Sequence, residues 1–333
     1  MIETYGYARA GFLGNPSDGY FGKTLSFAFS NFRARVLLYP SGRLEIKPSK
    51  ADLPVWENLD DLYRITRWRG YYGGIRIIQA LIVRLIDYCK EHGIELPDRN
   101  FTLEYESTVP QRLGLGGSSA IITASLRALC EYYRLDIPLP VFANLVLQTE
   151  TRELDVPAGL QDRVIQAYHG LVYMDFSKNL MDSRGYGEYE RMDTGLLPKV
   201  YVAYRTSLSE GTEVFHNNIR ERWRRGDPEV VDAMHTWAGY AEEGRRCLLE
   251  RNYSRLKELV DANFDLRARI YRIDPGNLEM IETARAAGVT ANFAGSGGAI
   301  VGIYEDDAMF QRLSDKLKAI GVGVIRPNIV PSL

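Results

Sequence analysis

Cysteine is scarce in this chain of 333 residues: Cys89, Cys130 and Cys247 are odd in number and widely scattered. Such a set argues against a disulfide framework or a cysteine-built zinc site and suits reduced thiols in a cytoplasm. An excess of one charge is also missing, since 41 basic and 43 acidic residues leave a formal net charge of -2. Nothing of that kind recruits a nucleic-acid backbone or an anionic membrane in bulk. A basic run such as Arg220–Arg225 contains Glu221 and Trp223 and reads as a solvated helix face. No stretch approaches the roughly 20 apolar residues of a membrane helix, and Met1–Arg9 lacks the apolar core of a signal peptide. The histidines, His92, His169, His216 and His235, show no metal-ligand spacing, and no Ser-His-Asp or Cys-His arrangement stands out. These absences predict a cytoplasmic protein whose partners are neither nucleic acid nor membrane.

What is present is an alternation of strand and helix signals with no internal repeat. Leu25–Leu38 reads as strand, and Leu44–Lys47 is expected to pair with its end through the turn at Pro40–Gly42. Ile75, Ile78, Leu81, Ile82, Leu85 and Ile86 recur at helical spacing, and Gly93 closes that helix. Phe101–Glu106 alternates as a strand, and helices are expected over Ser118–Tyr133 and about Pro140–Leu154. Leu171–Phe176 and Val200–Arg205 read as strands. From Gly211 to Tyr271 the pattern is helical in three segments, broken near Gly226–Pro228 and near Asn252, and the last sixty residues return to mixed helix and strand. The fold class is therefore α+β in two lobes, residues 1–206 and 207–333, with the boundary near Tyr204–Gly211.

The sharpest local feature is Leu113-Gly114-Leu115-Gly116-Gly117-Ser118-Ser119-Ala120, set between a strand and a helix. Glycines let the backbone turn tightly and approach a ligand, and a helix N-terminus offers unpaired N–H groups to phosphate. Of the two serines, one is expected to cap the helix and the other to reach a nucleotide-bound metal. The loop is not a P-loop, because no Gly-Lys-Ser/Thr follows at the required spacing. Taken alone, it also reads as a plain glycine-rich turn.

Three strings in order carry a resemblance. Pro110-x3-Gly114-Leu115-x-Gly117-Ser118-Ser119-Ala120 resembles the second signature of the GHMP kinases. The first is Ala8-Arg9-Ala10-Gly11-Phe12-Leu13-Gly14-Asn15-Pro16-Ser17-Asp18, and the third is Phe293-Ala294-Gly295-Ser296-Gly297-Gly298-Ala299. Gly14 through Lys23, Gly70-Tyr71-Tyr72-Gly73-Gly74, Ala158 through Arg163 and Met174 through Lys178 are similar to the glucuronokinases in particular, nearly along the whole length. The resemblance implies a GHMP kinase fold: an S5-like α/β N-terminal lobe with the ATP loop and catalytic residues, and a ferredoxin-like C-terminal lobe with added helices. It also implies ATP and Mg2+.

Residue by residue, the resemblance implies that Asp162 is the catalytic aspartate and that Arg9 faces the reacting centre. It gives Gly114 to Ala120 to the nucleotide, and Ser119 with Glu150 to the metal. Glu153 is the alternative to Glu150 in the polar run Thr149–Glu153. Asp18 matches the aspartate that binds sugar hydroxyls in galactokinases, but Asn15-Pro16 stands where those enzymes carry Glu-His, which speaks against galactose. Lys23 and Arg76 are candidate partners of a substrate carboxylate, bidentate in the arginine's case. Tyr72 and Gly73, with Gly297 and Gly298, are expected near the substrate. The implied function is a sugar-1-kinase with D-glucuronate as acceptor. The alternatives are another sugar (a heptose phosphate, fucose or galactose type) or a silent sugar and ATP sensor. The intact Asp162, Glu150 and Ser119 speak against a sensor, which needs neither base nor metal ligand.

Overall fold

The structure, a computed structural model, describes residues 1–52, 58–59, 62–63, 73–205 and 213–333. In chain order the strands are β1 (Ile2–Leu13), β2 (Lys23–Pro40), β3 (Glu45–Lys47), β4 (Phe101–Ser107), β5 (Leu171–Asp175), β6 (Glu188–Met192), β7 (Val200–Tyr204), β8 (Asn292–Phe293), β9 (Ala299–Ile303) and β10 (Gly323–Ile325). The helices are α1 (Gly74–Glu91), α2 (Gly117–Tyr133), α3 (Leu139–Gln148), α4 (Gln161–Tyr168), α5 (Lys178–Arg184), α6 (Glu213–Arg224), α7 (Pro228–Leu249), α8 (Tyr253–Ile270), α9 (Pro275–Arg285) and α10 (Asp307–Ala319). None of the described helices is long and apolar enough to cross a membrane.

The chain forms two compact units that interleave along the sequence, whereas the sequence reading divides it once, near residue 206. The first comprises Met1–Ala8, Phe32–Gln111 and Gly116–Ala158. The second comprises Arg9–Asn31, Arg112–Leu115 and Gly159–Leu333.

In the first unit β4 lies between two strands. It runs antiparallel to β2, from Ala34 opposite Ser107 to Pro40 opposite Phe101, and parallel to β3, with Glu45 opposite Thr102. The expected hairpin of Leu44–Lys47 with the end of β2 is therefore corrected. The edge of β2 that a hairpin would use is already bonded to β4, and β3 takes the far side of β4 instead, where Lys47 Nζ meets Glu104 Oε1 at 2.6 Å. The helix α1 forms because Ile77, Ile78, Leu81 and Leu85 repeat at helical spacing and all are buried. It closes as expected at Gly93, whose φ of 65° is the left-handed conformation that glycine tolerates. The helix α2 buries Ala120, Ile122, Ala124, Leu126 and Leu129, and Gly6 of β1 passes so near the Ala120 carbonyl that no side chain fits there. After α3 the chain widens into a π turn, Thr149–Glu153, which buries Thr149 and Glu150.

In the second unit the first residues of β2 pair antiparallel with β5, Lys23 opposite Asp175 and Phe27 opposite Leu171, and β5 pairs with β6. A four-stranded antiparallel sheet runs β10-β7-β9-β8. Tyr201, Ile300 and Phe293 of that sheet share a core with Met280 and Ile281 of α9 and Leu313 and Leu317 of α10. The helices α6, α7 and α8 break where Gly226 and Asn252 predicted. They gather Ile219, Val230, Trp237 and Leu266 with Tyr20 into a second core, in which the buried Trp237 ring donates to the Asn263 carbonyl at 3.0 Å. The α+β class expected from the sequence is the one observed.

Candidate active site

Within the second unit, Arg9 on β1 enters a buried setting, 4% exposed. Its Nε and Nη2 donate to the two oxygens of Asp162, each at 2.7 Å, a bidentate ion pair. Its Nη1 donates to the carbonyls of Gly114 at 2.6 Å and Ala294 at 2.5 Å. One guanidinium thus ties three sequence motifs that lie far apart in the chain. Asp162 occupies the first turn of α4. Burial alone would raise its pKa, but the charges of Arg9 and Arg163 and the hydrogen bonds from Arg9 outweigh burial and hold it below the usual carboxylate value. It is therefore ionised at neutral pH.

Asp18 is buried as well, with a different set of partners. Its Oδ2 accepts from the backbone N–H of Leu160 at 2.8 Å and of Gln161 at 3.1 Å, so the carboxylate closes the start of α4. Burial pushes its pKa up, with the nearby Asp162 charge adding to the rise and the Gln161 N–H opposing it. Gln161 completes this corner by accepting from Ser26 Oγ at 2.9 Å. The third glycine loop is shaped by backbone need: Gly297 has φ 139° and Gly298 φ 76°, and the Gly298 N–H donates to Asn277 Oδ1 at 2.8 Å.

Within the first unit, the last residues of the glycine loop, from Gly116 on, deliver the chain into α2. The cap position is Gly116 in the left-handed conformation, φ 78°, and no side chain caps the helix. The expected serine cap is therefore corrected. Ser118 Oγ donates instead to Glu150 Oε1 at 2.6 Å, and Ser119 Oγ to the Gly116 carbonyl at 3.1 Å. The first helical bond runs from Ala120 N to Gly116 O, so the N–H groups of Gly117, Ser118 and Ser119 precede the helical ladder. A methyl group added at Gly117 would touch only Val109 side-chain atoms, the nearest at 3.7 Å, an ordinary contact. Folding therefore does not demand glycine at this position. Glu150 is 2% exposed. One buried carboxylate with neighbouring hydroxyls is a hard-oxygen donor set that suits magnesium, which keeps waters and takes one or two protein oxygens beside the phosphates. No cluster of three or more His, Cys, Asp or Glu able to hold a metal occurs among the described residues.

The remaining candidates separate. Lys23 Nζ is bonded to Glu242 at 2.8 Å and lies 3.6 Å from Asp175. Arg76 is exposed on α1, and Gly73 is the cap residue of that helix. Tyr72, with Tyr71, lies outside the described residues. A residue missed in the sequence is Arg267 of α8, 3% exposed, whose Nη1 donates to Asn15 Oδ1 at 2.8 Å and to the Gly295 carbonyl at 2.9 Å. A signal for it existed: Leu256, Val260, Asn263 and Arg267 form one helical stripe, and an arginine on an otherwise buried stripe is anomalous.

The GHMP kinases N terminal domain model matches residues 80–170. Over 341 aligned positions the chain is 45% identical to a probable glucuronokinase 2 of Arabidopsis thaliana, covering 100% of this chain and 92% of that protein. Glucuronokinase 1 of the same plant is 42% identical over 99% of this chain and 93% of its own. The chain belongs to the glucuronokinase family of GHMP kinases. The fold agrees: the crystal structure of Lactococcus lactis galactokinase complexed with galactose superposes with a TM-score of 0.76 at 16% identity, covering 99% of this chain and 94% of that one. Membership of this kinase family implies ATP as a substrate and a sugar as its small-molecule partner.

Proposed function

We propose that the protein is an ATP-dependent sugar-1-kinase that converts D-glucuronate and ATP to 1-phospho-D-glucuronate and ADP. The observation that carries the chemistry is the buried Arg9–Asp162 pair, joined to the Gly114 and Ala294 backbone of two of the three signature loops. The acceptor follows from the full-length likeness to the two plant glucuronokinases.

In this reading Asp162 accepts the hydrogen bond of the anomeric hydroxyl and takes its proton as the phosphoryl group transfers. A carboxylate held below its usual pKa is a weak base, which suits a loose transition state in which the proton leaves late. Arg9 keeps Asp162 ionised and aimed, and adds positive charge where negative charge migrates. Gly117, Ser118 and Ser119 offer N–H groups to the phosphates, with Gly114, Leu115, Gly116 and Ala120 shaping that loop. Ser119 and Glu150 would hold Mg2+, with Ser118 orienting the carboxylate; the ion, when bound, neutralises phosphate charge. Asp18, Gly297 and Gly298 are the proposed sugar contacts.

Coupled ADP release with magnesium and ATP tests the reading on D-glucuronate, D-glucose and D-galactose. We expect glucuronate to exceed the neutral hexoses in kcat/KM by roughly ten- to a hundredfold, with a product phosphorylated at the anomeric oxygen. Equal activity on all three discards the sugar-acid acceptor, and no ADP release with any sugar discards the kinase.

A further inference from the structure

A glucuronate site needs a cation for the C6 carboxylate, and that cation must be available. Lys23 already sits between Glu242 and Asp175, and Arg76 is exposed on α1, where solvent screening leaves an ion pair worth little. We propose that Arg267 pairs with the carboxylate of the sugar acid and sets the preference for it, an assignment that rests on the glucuronokinase reading above.

Three features support Arg267. First, it is buried without an anionic partner: among the described residues no carboxylate lies within ion-pair distance of its guanidinium. A buried charge of that kind is costly unless something pairs with it. Burial lowers the pKa of Arg267, with Tyr271 and Asp18 only partly opposing it, and the bonds of Asp18 go to the start of α4. Second, both of its hydrogen bonds leave from Nη1. The group has five N–H donors in a fork that matches a carboxylate, so the Nε and Nη2 edge remains for a bidentate partner. The plane of that fork is fixed, with the guanidinium carbon 5.2 Å from the Tyr271 ring centre and 5.0 Å from that of Phe293. Third, Arg267 and the catalytic pair share one short backbone segment. Arg9 donates to the carbonyl of Ala294, and Arg267 to that of the next residue, Gly295. One loop therefore anchors both the reacting end and the proposed carboxylate end of a single sugar.

The experiment compares D-glucuronate with D-glucuronamide, of nearly the same shape but uncharged, in wild type, Arg267→Gln, Arg267→Lys and Asn15→Asp. Asn15→Asp leaves the arginine in place and hands it an internal counter-charge, at the cost of the bond that Asn15 Nδ2 donates to the Phe293 carbonyl, so it tests the idea by a route separate from removing the arginine. We expect wild type to prefer the acid. In Arg267→Gln and Asn15→Asp the acid-to-amide ratio of kcat/KM should fall by roughly ten- to a hundredfold, mostly through KM for the acid. Arg267→Lys should recover part of the ratio, since charge returns without the fork. Equal losses on acid and amide would make Arg267 a structural prop and overturn the proposal. A wild type that ignores the difference between acid and amide, or does not turn over glucuronate, would instead sink the functional reading, before any variant is compared.

Discussion

Gly295 and Gly117 belong to two loops that carry family signatures, yet they are glycine for opposite reasons. A side chain at Gly295 would collide with the Gly114 carbonyl and come within 2.8 Å of Arg9 Nη1. A side chain at Gly117 would meet only ordinary contact with Val109. The carboxylates of the two regions differ in the same sense. Asp162 is locked by a bidentate arginine, whereas Glu150 receives a hydroxyl from Ser118. The region around Arg9 is thus finished by folding, whereas folding leaves room beside the helix start at Gly117. The lesson is that a glycine whose absent side chain would fit says more about a ligand than one whose absent side chain would clash.

The largest effect should come from the finished region. Asp162→Asn should lower kcat by about 10²–10⁴-fold, read by single-turnover ADP release at a temperature where the variant stays folded. A loss below tenfold would reduce Asp162 to a structural partner of Arg9. The same change leaves Arg9 buried without its anion, a cost of about 3–5 kcal/mol, measured by urea unfolding at pH 7. Because the folded-state pKa of Asp162 lies below its ordinary 3.8, the stability from the pair is fully present above that value and is lost as pH falls through the folded pKa. Wild type and variant should therefore converge in strong acid.

Gly295→Ala should cost about 1–3 kcal/mol through overpacking against backbone, with activity falling alongside stability. An unchanged urea midpoint would break the contrast from that side.

The smallest change in stability belongs to Gly117→Ala, which should leave the melting temperature unaltered or slightly raised. The KM for ATP should rise about tenfold, or 1.4 kcal/mol, while substrate-independent folding stays intact. An unaltered KM would show that no ligand approaches this backbone closely.

Much of this was legible in the chain because glycine loops and helix starts are local. The break at Gly226, the close of α1 at Gly93 and the three ordered signatures depend on backbone freedom and spacing over a few residues. The pairing of β3 was not legible, since Leu44–Lys47 has the same alternation whether it meets β2 or β4, and only the distant Phe101–Ser107 decides between them. Cation assignments failed to resolve for a similar reason. Lys23 looks available in sequence, but Glu242 and Asp175 reach it from remote segments. Arg267 looks like one more helical arginine, until the stripe of Leu256, Val260 and Asn263 is seen to be buried.

Arg9 carries five N–H bonds, and four of them are engaged, one to each Asp162 oxygen and one each to the carbonyls of Gly114 and Ala294. Among the described residues a single N–H, on Nη2, is left over. Arg9 is therefore not a finger that swings in when substrate arrives, as a long exposed arginine would be. It behaves as a fixed electrode with one outlet: its field is present before any nucleotide binds, and it can offer an incoming oxygen one directed hydrogen bond and no more.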